Sequence, residues 1–384
     1  HPELLLRNSD VDIAVIDEGE ITFKELVSTI RDGKDLKEVT GIFFKDNGSI
    51  LRTARRERIQ NLDLLPFPAW DLFPMEIYLN SPVQSSASFD MRSMNVSSVR
   101  GCPYDCIFCS RPFGRKVYTR SAESIVNEIK ELKERYKVEF ISFTDDLFLL
   151  NKDHVLSFCD RMIAEDLGMK WHASGRVNLV DEGLLKKMRR AGCREISYGF
   201  ESGSQKMLDS MNKRVTVRQA EEAIKMTRRS KIKAVGSFIF GMQGETRDTV
   251  KETLGFIKRT GLPNYRFFYA TAYPGTELYK LAKNMGRLPI DEDKYIESLG
   301  EMRTTFLVNF TDFSDEELVK MKKSAELTAR KNLSLGLRLE ESMQDWQRRY
   351  IVVRKNINDL GVTPTIKMIF QRIFCKIREK FATI

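Results

Sequence analysis

The sequence predicts an α/β fold: a parallel sheet or partial (β/α)6 TIM-like barrel, between an N-terminal α/β fragment and a helical C-terminal region. Three observations predict it. From about Asn95 to Lys283, strand-like runs beginning near Val96, Val138, Lys170, Glu195, Ile232 and Tyr265 alternate with amphipathic stretches, the alternation that builds parallel sheets covered by helices. Helix boundaries fall between those strands. Ser121 caps a run with Ile125, Ile129, Leu132 and Tyr136 at helical spacing, Asn151 and Thr216 suit two further caps, and Gly192 closes the helix from Asp181. Finally, 384 residues with 42% hydrophobic and 30% charged content suffice for two or three domains and exclude wholesale disorder.

In chain order, residues 11–16 read as a short buried strand, Asp17-Glu18-Gly19-Glu20 as a turn, and Thr22 to Ile30 as a helix with Phe23, Leu26, Val27 and Ile30 on one face. This single strand–helix unit, residues 1–40, reads as the end of an α/β domain, and with His1 in place of Met further sequence is expected upstream. Residues 41–94 read as a linker, with a hairpin-like turn at Gly48 and breaks at Pro66, Pro68, Pro74 and Pro82. The core occupies residues 95–310, and residues 311–384 are helical and polar.

Net charge is 63 − 54 = +9, and residues 346–384 hold nine Lys/Arg against two Asp/Glu. The body is close to neutral, so no nucleic-acid partner is expected. From Pro364 on, Ile366, Ile369, Ile373, Ile377 and Phe381 share a helical face beside Lys367, Arg372, Lys376, Arg378 and Lys380. That pattern suits packing on the barrel, and also peripheral contact with an anionic membrane. Six cysteines are too sparse for a secreted disulfide scaffold. Three of them lie within eight residues, which points to a reduced, cytoplasmic protein with a metal site.

Those three are Cys102, Cys106 and Cys109, in Arg100-Gly101-Cys102-Pro103-Tyr104-Asp105-Cys106-Ile107-Phe108-Cys109 after the first core strand. Three thiolates so close can hold three corners of a cubane iron–sulfur cluster and leave one iron open. A structural zinc would need a fourth ligand nearby, and the next candidates, His154 and Cys159, lie beyond another strand. Later strand ends, where chemistry sits in such folds, carry further polar residues. Asp145 and Asp146 end the second strand, as ligands or as turn caps. Arg176 ends the third and can pair with a carboxylate. In Gly199-Phe200-Glu201-Ser202-Gly203, Glu201 can accept hydrogen bonds from a diol. His154, His172, Cys159, Cys193 and the methionines 207, 211, 226 and 242 read as structural.

The C-x3-C-x2-C loop, with Phe108 before its last cysteine, resembles the signature of the radical S-adenosylmethionine (SAM) superfamily, over roughly residues 95–285. The barrel is similar to Elongator-like and methylthiotransferase-like members. The resemblance implies a 4Fe–4S cluster on the three cysteines whose open iron chelates SAM, with Phe108 beside the adenine. It implies Asp145 at the SAM amino group, Arg176 at its carboxylate and Glu201 at the ribose. Gly236, Phe238 and Gly241, in a segment resembling G-x-I-x-G-x-x-E, then meet the adenine, with Phe238 in place of Ile. Tyr273-Pro274-Gly275-Thr276-Glu277-Leu278 also occurs in relatives and carries no assigned chemistry.

The first forty residues, with Asp12-Ile13-Ala14-Val15 and Glu18-Gly19-Glu20, resemble the end of a cobalamin-binding Rossmann-like domain, as does Leu65-Pro66-Phe67-Pro68-Ala69-Trp70. The resemblance implies cobalamin in the full-length parent and weak or no binding by this chain. The expected activity is reductive cleavage of SAM for methyl transfer or ring formation at an unactivated carbon of a small molecule or biosynthetic intermediate. Electrons would come from a donor such as flavodoxin or ferredoxin. A methylthiotransferase acting on tRNA would need a second set of three cysteines, which is lacking, and a bare electron carrier would not need the later SAM-like segments.

Overall fold

A computed structural model describes residues 1–79, 91–289, 291–299 and 306–331; the basic segment from Pro364 lies outside them. The N-terminal module contains α1 (Pro2–Asn8), β1 (Ile13–Val15), α2 (Gly19–Arg31) and a hairpin of β2 (Ile42–Asp46) and β3 (Ser49–Arg52). The strands form an antiparallel sheet in the order β1-β2-β3, which carries the module across residue 40 to Arg52. Asn47 and Gly48 turn the hairpin, both at positive φ (48° and 82°), as a tight two-residue hairpin turn demands.

Helix α2 corrects the expected burial. Thr22, Leu26 and Thr29 form its buried stripe, and Leu26 packs on Val39, Ile42 and Phe44. Phe23, Val27 and Ile30 are 60%, 49% and 56% exposed. The two stripes are one residue apart, about 100° around the helix, and apolarity alone selects the wrong one. Arg56 Nε donates to Thr22 Oγ1 at 2.8 Å, so the hydroxyl on the buried stripe has a partner.

After the short α3 (Met75–Leu79), six parallel strands follow: β4 (Ser93–Val96), β7 (Phe140–Phe143), β8 (Lys170–Gly175), β9 (Cys193–Glu201), β10 (Lys233–Phe240) and β11 (Asn264–Tyr269). Their spatial order is their order in the chain, with β4 and β11 at the two edges. This is the open, partial (β/α)6 barrel expected. Helices α4 (Ala122–Tyr136), α5 (Lys152–Ala164), α6 (Glu182–Arg190), α7 (Gln205–Ser210), α8 (Val217–Arg229) and α9 (Arg247–Thr260) connect the strands. Then come α10 (Glu277–Asn284), α11 (Glu292–Glu297) and α12 (Asp315–Lys331). The expected caps form: Ser121, Asn151 and Thr216 each accept a backbone N–H of the first helical turn.

The first barrel strand ends where it was expected to begin, at Val96. The chain then leaves the sheet and forms a ribbon of β5 (Val99–Arg100) and β6 (Tyr118–Thr119). The cause is Asp145 at the end of β7, whose Oδ1 accepts the N–H of Ser98 at 2.5 Å and of Val99 at 2.9 Å.

Side chains alternate across the sheet. Ile196, Tyr198 and Phe200 of β9, Phe238 and Phe240 of β10, and Phe267 of β11 join the core under the helices. Ser197, Gly199, Ser237 and Ile239 face the opposite side, the barrel lumen. There His172 is held between Ser142 Oγ, 3.2 Å from Nδ1, and Ser197 Oγ, 2.9 Å from Nε2, which supports its structural reading. Under the helices, Phe143 meets Phe148, Phe158 and Trp171 at 4.5, 5.5 and 5.8 Å between ring centres. Strand β10 ends in a turn where the N–H of Gly241, at φ 90°, donates to Glu245 Oε2 at 2.5 Å. Burial pushes the Glu245 carboxyl up to about 8, against the opposing Gly241 hydrogen bond.

Two outcomes are expected. Phe143→Ala removes the ring shared by those three contacts and should cost about 3–5 kcal/mol in denaturant unfolding; a loss below 1 kcal/mol would show that the cluster is not tightly packed. Glu245 holds its proton up to about pH 8 in the folded chain and only up to about 4.5 when unfolded. Its contribution is therefore fully present below about 4.5 and lost as pH rises through 8. The stability of the wild type relative to Glu245→Gln should fall by about 1.4 kcal/mol per pH unit inside that window. A pH-independent difference would contradict the neutral carboxyl.

Candidate functional site

The cysteine loop lies over the carboxyl ends of the strands and is held at its ends and at its middle. Asp146 Oδ2 accepts the N–H of Gly101 at 2.7 Å, and the Cys102 N–H donates to the Gly114 carbonyl at 3.1 Å. Gly101 has φ 95°, and a Cβ there would strike the Lys116 carbonyl. The turn after α7 holds the middle: Ile107 N–H donates to the Met211 carbonyl at 3.1 Å and Asn212 Nδ2 to the Asp105 carbonyl at 2.9 Å. Leu278 N–H, in the first turn of α10, donates to the Ile107 carbonyl at 2.9 Å. That gives the Tyr273–Leu278 segment a bracing role. Asp145 and Asp146 both direct carboxylate oxygens at backbone N–H groups of residues 98–101.

The three thiols are free, with Cys106 buried and Cys102 and Cys109 half-buried. Burial pushes the Cys109 thiol up to about 11, and the neighbouring Cys106 and Cys102 add to the rise. Burial likewise raises Cys102. Thiols that oppose one another's ionisation are stable as thiolates only around cationic charge, which iron supplies. Among the described residues, no three His, Cys, Asp or Glu side chains gather as a single ion would require. A cubane takes one thiolate at each of three irons, an arrangement that three thiols suit. Arg176 completes this part of the site. Its Nη1 lies 3.6 Å from Cys106 Sγ, its guanidinium stacks 3.6 Å above the Tyr104 ring, and Nη2 donates to the Lys213 carbonyl.

Glu201 ends β9 beside the loop at φ 63°, a left-handed conformation that costs a non-glycine residue energy and gathers at functional sites. Its Oε1 accepts from Lys213 Nζ at 2.6 Å, with both side chains 8% exposed. Gly199 leaves room for the pair, since a Cβ there would press on Glu201 Oε1 and Lys213 Nζ. Lys213 Nζ also sits 5.8 Å from the centre of the Phe108 ring. Sequence reasoning missed Lys213. Its one signal is the turn Asn212-Lys213-Arg214, a polar break ten residues beyond Gly203.

The structure thus brings Cys102, Cys106, Cys109, Phe108, Arg176 and Glu201 together. Gly236 and Phe238 face the helices: a Cβ at Gly236 would meet Leu262 and Phe200, and Phe238 lies inside the aromatic core. Only their backbone is available to a ligand in the lumen. Phe108 packs beside Ile107 and Ile239 on a cluster containing Met207, Met211 and Met242, so those methionines support the loop as core residues.

Residues 96–257 match the Radical SAM superfamily. Over 334 residues the chain is 35% identical to an uncharacterised methyltransferase of Pyrococcus horikoshii, covering 85% of this chain and 69% of the relative. It is 29% identical over 287 residues to the anaerobic magnesium-protoporphyrin IX monomethyl ester cyclase of Rubrivivax gelatinosus, covering 73% of this chain and 50% of that enzyme. In fold it is similar to the radical SAM methyltransferase TsrM of Kitasatospora setae, solved with cobalamin and a [4Fe-4S] cluster bound. The TM-score is 0.64 at 18% identity, over 74% of this chain and 57% of that one. The loop, the barrel and the sequence likeness agree: the chain belongs to the radical SAM superfamily.

Proposed function

We propose that the chain binds a 4Fe–4S cluster through Cys102, Cys106 and Cys109 and SAM across the barrel mouth, for methyl transfer or ring formation at an unactivated carbon of a small molecule. The observation that carries this reading is the convergence of three unpaired thiols with Arg176 and the Glu201–Lys213 pair on one side of the sheet. When bound, the cluster and SAM supply reductive cleavage to methionine and a 5′-deoxyadenosyl radical. The chain's own residues position and shield. Lys213 offers an ammonium to the SAM carboxylate, and Glu201 orients that ammonium while accepting from the ribose hydroxyls. Phe108 presents an apolar face to the adenine, and the lumen behind it keeps water from the reacting carbon. Exposed Arg115 and Lys116 beside the loop suit an acidic low-potential donor such as flavodoxin or ferredoxin.

The relatives' names support methyl transfer or cyclisation; because the chain spans 69% and 50% of those two proteins, the whole reaction belongs to this proposal. Cobalamin enters it through the likeness of residues 1–40 and the cobalamin bound in TsrM. No cobalamin contact is placed in the three-stranded N-terminal sheet. No helix among the described residues is long and apolar enough to cross a membrane. We place the chain in the cytoplasm, where cysteine thiols stay reduced.

Replacing Cys102, Cys106 or Cys109 by Ala should abolish most iron binding after anaerobic reconstitution, whereas Cys159→Ala should retain it. Full retention in all three loop variants contradicts the site. Lys213→Met and Glu201→Ala should keep the cluster and weaken SAM binding about 10-fold or more by calorimetry. An unchanged dissociation constant removes the pair from the SAM site.

A further inference from the structure

The N-terminal module reaches the cluster loop through one buried carboxylate. Glu18, at the N-terminus of α2, has a side chain 4% exposed. Its Oε2 accepts the Ile59 N–H at 2.8 Å and Arg58 Nε at 3.4 Å, and its Oε1 accepts Arg100 Nη1 at 2.8 Å. Arg100 also donates to Glu20. Burial works to raise the Glu18 carboxyl, and the hydrogen bonds from Arg100, Ile59 and Arg58 outweigh it and leave it below its ordinary value. The carboxylate is therefore ionised, and it faces two guanidiniums that are themselves 16% and 18% exposed.

What those arginines do next gives Glu18 its significance. Arg100 is the residue before Gly101-Cys102, so it begins the outgoing limb of the loop. Arg58 grips the return limb: its Nη1 donates to the Lys116 carbonyl at 3.0 Å and to the Phe113 carbonyl. Both guanidiniums stack on Phe113, at 5.8 Å for Arg58 and 5.2 Å for Arg100, and Arg58 also lies 4.9 Å from Tyr118. One carboxylate thus fixes the side chains that close the two limbs of the cysteine loop against each other. The nearby pair of Asp17 and Arg55 makes a useful contrast. It is equally close in sequence, but its side chains are 24% and 64% exposed.

We infer that Glu18 is a positioning residue for the iron–sulfur cluster: acting through Arg58 and Arg100, it couples the N-terminal module to the loop that carries Cys102, Cys106 and Cys109. The inference rests on the placement of the cluster on those cysteines. Groups that orient metal ligands from outside the coordination sphere typically alter affinity 10–100-fold when removed. Loss of Glu18 would leave Arg58 without its carboxylate and Arg100 with only the exposed Glu20, and would free both limbs to move apart.

The test uses the full chain, reconstituted anaerobically, as wild type, Glu18→Gln, Asp17→Asn, Arg58→Met and Cys102→Ala. Iron loss to a chelator should be about 10-fold faster in Glu18→Gln than in wild type. The reduced cluster of Glu18→Gln should show a broadened electron paramagnetic resonance spectrum, as loop conformers multiply. Asp17→Asn should match wild type in both. If Glu18→Gln does not fold, Arg58→Met, which severs the link on the loop side, must show the same release and broadening. Wild-type release and spectrum in Glu18→Gln, or in Arg58→Met where that is the variant read, overturn the inference. Retention of iron by Cys102→Ala instead overturns the cluster placement, and the coupling with it.

Discussion

The Asp145 and Asp146 carboxylates determine where the cysteine loop starts. They stand at the end of β7, and Asp145 takes backbone N–H groups of Ser98 and Val99 that would otherwise continue β4. Asp146 takes the next free donor, the Gly101 N–H. A strand whose donors are captured by its neighbour's end cannot extend, so the chain turns out over the barrel mouth. The positive φ of Gly101 and its closeness to the Lys116 carbonyl follow from that turn. The loop's second and third attachments, to the Met211 and Leu278 segments, draw the ends of β9 and β11 to the same place. Strand ends that are distant in sequence therefore share one site.

Charge explains the composition of that site. Burial resists ionisation of the Cys109 and Cys102 thiols, and the neighbouring cysteines add to that resistance. Cationic iron reverses the balance, and Arg176 adds a further positive charge beside Cys106. Glu201 and Lys213 are held as a buried pair rather than as lone charges, which offsets part of the cost of burying each. The positive φ of Glu201 costs a non-glycine residue energy, and such strain gathers at functional sites.

Much of this was legible in the sequence. Strand–helix alternation, the caps at Ser121, Asn151 and Thr216, and the spacing of three cysteines each rest on local rules, and the barrel follows from their repetition. What was not legible depends on contacts between distant segments. The early end of β4 is caused by Asp145, some fifty residues on, and no property of Ser98 or Val99 announces it. Lys213 is one lysine among many until Gly199 makes room for its pairing with Glu201. Helix α2 offers two stripes of similar breadth, and the buried one meets Val39, Ile42, Phe44 and Arg56, all outside the helix. Gly236 and Phe238 illustrate a different limit. The motif located the strand that reaches the site, but alternation within the strand turns those two side chains to the helices.

Family membership rests on the 35% identity with the Pyrococcus horikoshii methyltransferase and the superfamily match over residues 96–257, and the geometry explains which residues would serve the chemistry. The central claim is that three cysteines hold three irons and leave the fourth for SAM. The most direct measurement is electron–nuclear double resonance on the reduced, reconstituted chain with SAM isotopically labelled at its amino nitrogen. The account predicts a hyperfine coupling between that nitrogen and the cluster. A cluster signal unaffected by the labelled SAM, in protein that binds SAM, would contradict it.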